Sequence, residues 1–235
     1  MKNNTRKLKI ALAVVGFTFA ILPSITSATT IVLKATHDGV LLDGNNTNNE
    51  SLGILGSELD TSAAGNIWIS ILKFDLSSLA GMNVNSASFE LTSFFNHSSS
   101  SFAHEVYSSV NDSWTEDTVT GVNRPLDSSL TFLDSADISG ISQTYSWDVL
   151  TGVTGTDGLA GTNDFLTLLL RPELSQAGSG EFGAHFKDRE NLSQFPVLLV
   201  DASPVPVPTA VWLFSSGLIG LYGAKAKLKK TITTT

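Results

Sequence analysis

The chain has 235 residues, of which 42% are hydrophobic and 15% charged, with a formal net charge of −8. All 22 acidic residues lie between positions 29 and 203, together with only 6 of the 14 Lys and Arg, so this middle region carries −16. So acidic a body excludes nucleic acid, whose phosphates require a basic patch, and the absence of cysteine excludes disulfides, thiol chemistry and Cys-ligated zinc.

Lys2, Arg6, Lys7 and Lys9 form a positive n-region, Ile10 to Leu22 an apolar h-region, and Thr26 and Ala28 offer small residues for cleavage. This is the pattern of a signal peptide over residues 1–28, cut by signal peptidase so that the mature protein starts at Thr29. The h-region is short for a retained anchor and ends at the helix-breaking Pro23. Residues 29–203 then suffice for one sizeable domain that rests on its own core.

That body reads as β. Ser86 to Thr92 and Phe102 to Tyr107 alternate polar or small with apolar side chains, the period of half-buried strands. Further strands are predicted at 30–35, 67–74, 143–149, 165–171, 181–186 and 196–201, separated by turn clusters such as Asp43-Gly44-Asn45-Asn46. Eight short antiparallel strands suggest a β-sandwich of jelly-roll type. Ser113-Trp114-Thr115-Glu116 fits a capping box, which predicts a single helical turn there.

Candidate functional residues follow the same order. Asp38, Asp43, Asn45, Asn46 and Glu50 supply hard oxygen ligands for Ca2+, although such loops are commonly only solvated. Trp68 is a candidate for stacking a sugar ring, with Phe94, Phe95 and Tyr107 behind it. If residues 186–190 continue as a strand, Lys187 and Arg189 project from one face. Arg189 would then grip a carboxylate or sulfate of an acidic glycan through two hydrogen bonds. The competing reading is that Arg189 pairs with the protein's own acids. The histidines at 37, 97, 104 and 185 show no ligand spacing, and no nucleophile elbow, zinc-protease helix or phosphate loop is present. Adjacent Glu116 and Asp117 would point to opposite faces of a strand, which argues against a hydrolytic pair. The expectation is therefore a protein without catalysis and with no certain cofactor.

Several stretches share one resemblance. Leu72 to Leu79, Val84 to Leu91, Asp112 to Thr120, Trp147-Asp148-Val149, and Phe186 to Glu190 ahead of Pro196-Val197-Leu198 resemble, in order, the DNRLRE-type domain, also classed as carbohydrate-binding module family 96. The resemblance implies a β-sandwich that binds polysaccharide, often acidic, and performs no chemistry. It also places Trp114 and Trp147 in framework motifs, where core packing is their expected role. The sequence departs from the pattern at Asn49 to Gly53 and around Gly121-Val122-Asn123.

The chain closes with a second membrane-directed signal. Pro204 to Pro208 form a stiff spacer, residues 209–224 an apolar helix, and residues 225–235 a tail whose Lys225, Lys227, Lys229 and Lys230 favour the cytoplasmic side. Val205, Pro206, Val207 and Pro208, followed by the apolar helix and basic tail, resemble the PEP-CTERM sorting signal, with Val207 in place of the central acid. This implies transient residence in the inner membrane of a Gram-negative bacterium, cleavage by an exosortase, and release to the cell surface or exopolysaccharide matrix. The reading is an exported, non-catalytic polysaccharide-binding protein. The alternatives are a self-associating matrix protein that binds no specific sugar, and a polysaccharide-active enzyme.

Overall fold

The computed structural model describes residues 27–48, 52–61, 66–97, 101–176 and 181–205, together with Phe214, Gly217 and Leu218. Residues 1–26, Glu50, the motif residues Pro206, Val207 and Pro208, and nearly all of the expected 209–224 helix lie outside the described residues. Among the described residues no helix is long and apolar enough to cross a membrane, so the expected C-terminal transmembrane helix is not found.

The body is all-β, as expected. In chain order the strands are β1 (Thr29–Leu42), β2 (Ile54–Asp60), β3 (Asn66–Asp75), β4 (Met82–Asn96), β5 (Phe102–Ser109), β6 (Leu130–Ile138), β7 (Thr144–Asp148), β8 (Phe165–Pro172), β9 (Glu181–Lys187) and β10 (Val197–Pro204). One short helix, α1 (Leu150–Thr154), follows β7. The strand pairings are antiparallel throughout.

The jelly-roll sandwich needs correction, because two long strands pass from one wall of the molecule into the other. The first half of β1 pairs with β10; beyond a bulge between Ala35 and His37, its second half pairs with β3. β4 pairs with β10 and β7, then bulges between Ser93 and Phe95 and pairs with β9. A bulge adds one residue on one side of a ladder, so the strand bends and twists there. With β2 bridging β9 and β3, the hydrogen bonds close a six-strand barrel in the order β1-β10-β4-β9-β2-β3, and β8, β5 and β6 extend outward from β3.

Alternation explains what fills the barrel. Along β4, Ala87, Phe89, Leu91 and Ser93 are buried and the residues between them only half-buried, so one face points inward. These side chains join Leu72, Phe74, Trp147 and Phe186 in the main core. Trp147 is fully buried, and its Nε1 donates to the His104 carbonyl at 2.9 Å. The centre of β3 is buried on both faces. On the face opposite Leu72 and Phe74, Ile69 and Ile71 form a second cluster with Leu41, Leu169, Trp114 and Val119, the last two carried by the 112–124 loop. Lys73 pins that loop by donating to the carbonyls of Asp112 (2.7 Å) and Trp114. Both framework tryptophans therefore pack in cores.

The capping box is also corrected. Asn111 Oδ1 accepts the Ser113 amide at 3.1 Å, and one turn is closed by Val119 N–H donating to the Thr115 carbonyl at 3.0 Å. The Glu116 carboxylate leaves this turn and reaches Arg189.

Candidate functional site

The predicted Lys187 and Arg189 face does not form, because β9 ends at Lys187 and residues 189–190 turn. Lys187 lies over the Phe94 ring with its Nζ 4.3 Å from the centroid. Arg189 is enclosed by acids: its Nη2 is 2.8 Å from Glu116 Oε2, and its Nε is 2.9 Å from Glu190 Oε1 and 3.7 Å from Asp38 Oδ1. The Arg189 amide donates to Asp38 Oδ2 at 2.8 Å. Asp38 is only 3% exposed. Burial, with help from neighbouring carboxylates, pushes its carboxyl up to about 7.

The supposed calcium loop is divided. Asp38 groups with Glu116 and Glu190, around the Arg189 guanidinium. Asp43 accepts from Arg124 Nη2 at 2.9 Å, and Asn45 Oδ1 accepts the Thr47 amide at 2.8 Å. The other cations are engaged as well. Arg171 contacts Glu105 and Tyr107, and Lys34 lies 3.8 Å from the Phe195 centroid. Among the described residues no free cationic patch awaits an acidic glycan.

Trp68 occupies a different setting. On β2, Leu55 points into the core while Gly56 and Glu58 point out. On β9, Ala184 and Phe186 point in and His185 points out. Register sets Gly56 opposite His185, and Glu58 between Gly183 and Trp68. The result is a recess of about 240 Å³ bounded by β1, β2, β3, β9 and the residue that follows β4. Val40, Leu52, Ile54 and Trp68 form its apolar sides, and Glu58, His97 and His185 its polar side. Gly56 is its floor: a Cβ there would stand 3.1 Å from Val40 Cγ2 and 3.7 Å from Trp68 Cβ. Gly183, at φ +148°, lets β9 approach so closely that a Cβ would lie 2.8 Å from Glu58 Cβ.

The polar side is a continuous network. His185 Nε2 donates to Glu58 Oε2 at 3.0 Å, His97 Nε2 lies 3.1 Å from the same oxygen, and His97 Nδ1 is 2.9 Å from Glu181 Oε2. Phe95, 44% exposed, flanks the pair with its ring centroid 4.6 Å from that of His97 and 5.4 Å from that of His185. Linear spacing gave no sign of this cluster. Only the pairing of β2, β9 and the end of β4 assembles it, although the outward parity of His185 on a recognisable strand was available as a hint.

A second depression, of about 360 Å³, crosses the face of β4 and β7. Thr92 and Thr144 line it and hydrogen-bond each other at 3.0 Å, and its Phe195 is covered by Lys34.

An all-β barrel with an aromatic-sided recess has the make-up of a ligand-binding module. The chain belongs to carbohydrate-binding module family 96, whose family model matches residues 30–202. No curated protein matches it.

Proposed function

We propose that this chain is an exported, non-catalytic polysaccharide-binding protein that holds its glycan at the Trp68 recess. Family membership supports carbohydrate binding, and the observation that carries the site is the recess itself. An indole beside a glycine floor suits the apolar face of a sugar ring. Glu58 and the two histidines offer an acceptor and donors to hydroxyl groups at its edge. With the body's cations already engaged, a neutral glycan fits better than an acidic one.

Glu116, one half of the conceivable hydrolytic pair, is tied to Arg189, which favours binding over catalysis. Self-association through sheet edges is less favoured, because the edge strand β6 carries Asp134 and Asp137, charges that discourage pairing with another chain. Export rests on the n-region and h-region, and exosortase processing in the inner membrane on the Val205 to Pro208 motif with its apolar and basic sequel.

The test is binding of the wild type and Trp68→Ala to a panel of neutral and uronic-acid polysaccharides. The expected result is retention of a neutral glycan by the wild type and at least tenfold weaker binding by the variant, about 1.4 kcal/mol, with an unchanged melting curve. Equal binding by both proteins removes the site; release of sugars from the polymer removes the non-catalytic reading.

A further inference from the structure

We propose that Glu58, His97 and His185 form a binding site for a divalent transition-metal ion of the zinc class, with Glu181 orienting His97 from behind. The donor atoms of the three side chains all lie within 4.8 Å of one another. A tetrahedral ion with bonds of about 2.0 to 2.1 Å holds its donors ~3.3 Å apart. The separations of 3.0 and 3.1 Å between Glu58 Oε2 and the two imidazole nitrogens need only a few tenths of an ångström of opening.

His97 carries the inference furthest. Both of its ring nitrogens face carboxylate oxygens, Nδ1 toward Glu181 and Nε2 toward Glu58. A neutral imidazole has one N–H. If Nδ1–H donates to Glu181, the Nε2 lone pair meets the Glu58 carboxylate with nothing positive between them. Although 3.1 Å from Glu58 Oε2, this buried Nε2 makes no hydrogen bond. An ion between Nε2 and Oε2 turns that repulsion into two bonds, and His185 contributes a third when its proton resides on Nδ1. Glu181 then does for His97 what carboxylates commonly do for metal-bound histidines: it fixes the tautomer and raises the basicity of the ligating nitrogen.

Donor type selects the ion. Two imidazoles and one carboxylate suit zinc and its neighbours, whereas calcium and magnesium seek oxygen shells. Glu58 and His185 stand on the paired strands β2 and β9, and His97, just beyond β4, is tied to β9 by its amide donating to the Gly183 carbonyl at 3.0 Å, so the set is held in place before any ion arrives. Glu58 is 7% exposed, and no Lys or Arg pairs with it among the described residues. A buried carboxylate in that position gains most from a cation. Because the three ligands line the recess, the ion's remaining position faces it, open to water or a glycan oxygen. Only this last consequence rests on the glycan reading.

The experiment is calorimetric titration of zinc sulfate into the tag-free full-length chain after EDTA treatment, paired with thermal melts. One zinc per chain is expected, with a rise in melting temperature that EDTA reverses. His97→Ala with His185→Ala should abolish both effects, and Glu181→Gln should weaken zinc by about 10- to 100-fold. Should the double variant misfold, zinc-edge X-ray absorption of the wild type must show two imidazoles in the shell. No zinc uptake by the wild type, uptake undiminished in a folded double variant, or a shell without imidazole each overturns the proposal. Trp68→Ala separates the two sites of action: lost glycan binding with zinc retained is expected, and unchanged glycan binding in that variant counts against the glycan site alone.

Discussion

Asp38, Glu116 and Glu190 converge on Arg189, whereas Glu58 and Glu181 converge on His97 and His185. Each cluster takes carboxylates out of water, Asp38 and Glu116 in the first and Glu58 in the second, and an uncompensated charge there is costly. The first contains its own permanent cation, and is complete. The second contains only imidazoles, whose charge is conditional, and it borders a recess where the first is plugged by a guanidinium. Charge compensation built into the chain marks structure; compensation left to the surroundings marks a place where something arrives.

Removing the cation tests this contrast most severely. Arg189→Met keeps the apolar stem but takes the positive charge away from Asp38 and Glu116. Breaking a fully buried pair costs about 3–5 kcal/mol, and discounting for the partial exposure of Arg189 leaves about 2–3 kcal/mol, read as a lower urea midpoint. Glu58→Gln in EDTA should shift that midpoint by about 1 kcal/mol or less, since Gln still accepts from His185. A loss as large as that of Arg189→Met would make the two clusters equivalent and end the comparison.

Acidity offers a finer separation. Asp38 titrates near 7 when folded and near 4 when unfolded, so the folded state binds the extra proton between these values. Its contribution to stability therefore falls as pH rises from about 4 to about 7. Asp38→Asn should remove this slope, making the variant gain on the wild type by about 1 kcal/mol between pH 6 and pH 7 in urea titrations. An identical slope in both proteins means that Arg189 already holds Asp38 ionised. His104 acts in the opposite sense: burial drives it down to about 3, so its contribution is full above about 6.5 and is lost as pH falls toward 3. His104→Gln should flatten that acid limb. The smallest effect concerns the recess floor. Gly56→Ala places a methyl 3.1 Å from Val40 Cγ2 and should weaken glycan binding by about threefold, or 0.65 kcal/mol, with the fold retained.

Strands whose alternation is visible in the sequence, such as β4 and β10, have one face in the core. Two strands escaped sequence periodicity. β2, Ile-Leu-Gly-Ser-Glu-Leu-Asp, is buried along nearly its whole length and carries Gly56, Ser57 and Glu58 where a hydrophobic run would have announced a strand. β6 is an edge strand in which only Ile138 is fully buried, so no apolar face enforces alternation. The recess was hidden for the same reason, since β2 builds its floor and supplies Glu58. Trp68 could be singled out as an indole outside the framework motifs, yet nothing local shows that it neighbours His185. Arg189 illustrates the converse: its alternative reading, a pairing with the protein's own acids, is what the geometry contains, because a turn replaces the strand on which the binding face depended.

The first half of β1 has one partner, β10, and that ladder spans almost the whole body: Thr30 Oγ1 donates to Asp201 Oδ1 across 171 positions of sequence. The barrel therefore cannot close until its last strand has left the ribosome and, in an exported chain, the translocation channel. Until then the front end of β1 and one side of β4 have no ladder to join. For an exported chain, as proposed, the order of the strands alone would delay the early folding that jams secretion. The same ladder sets residue 29 beside residue 202, so under the proposed processing a chain tethered at its carboxyl end would hold its newly cut amino end close to the same anchorage.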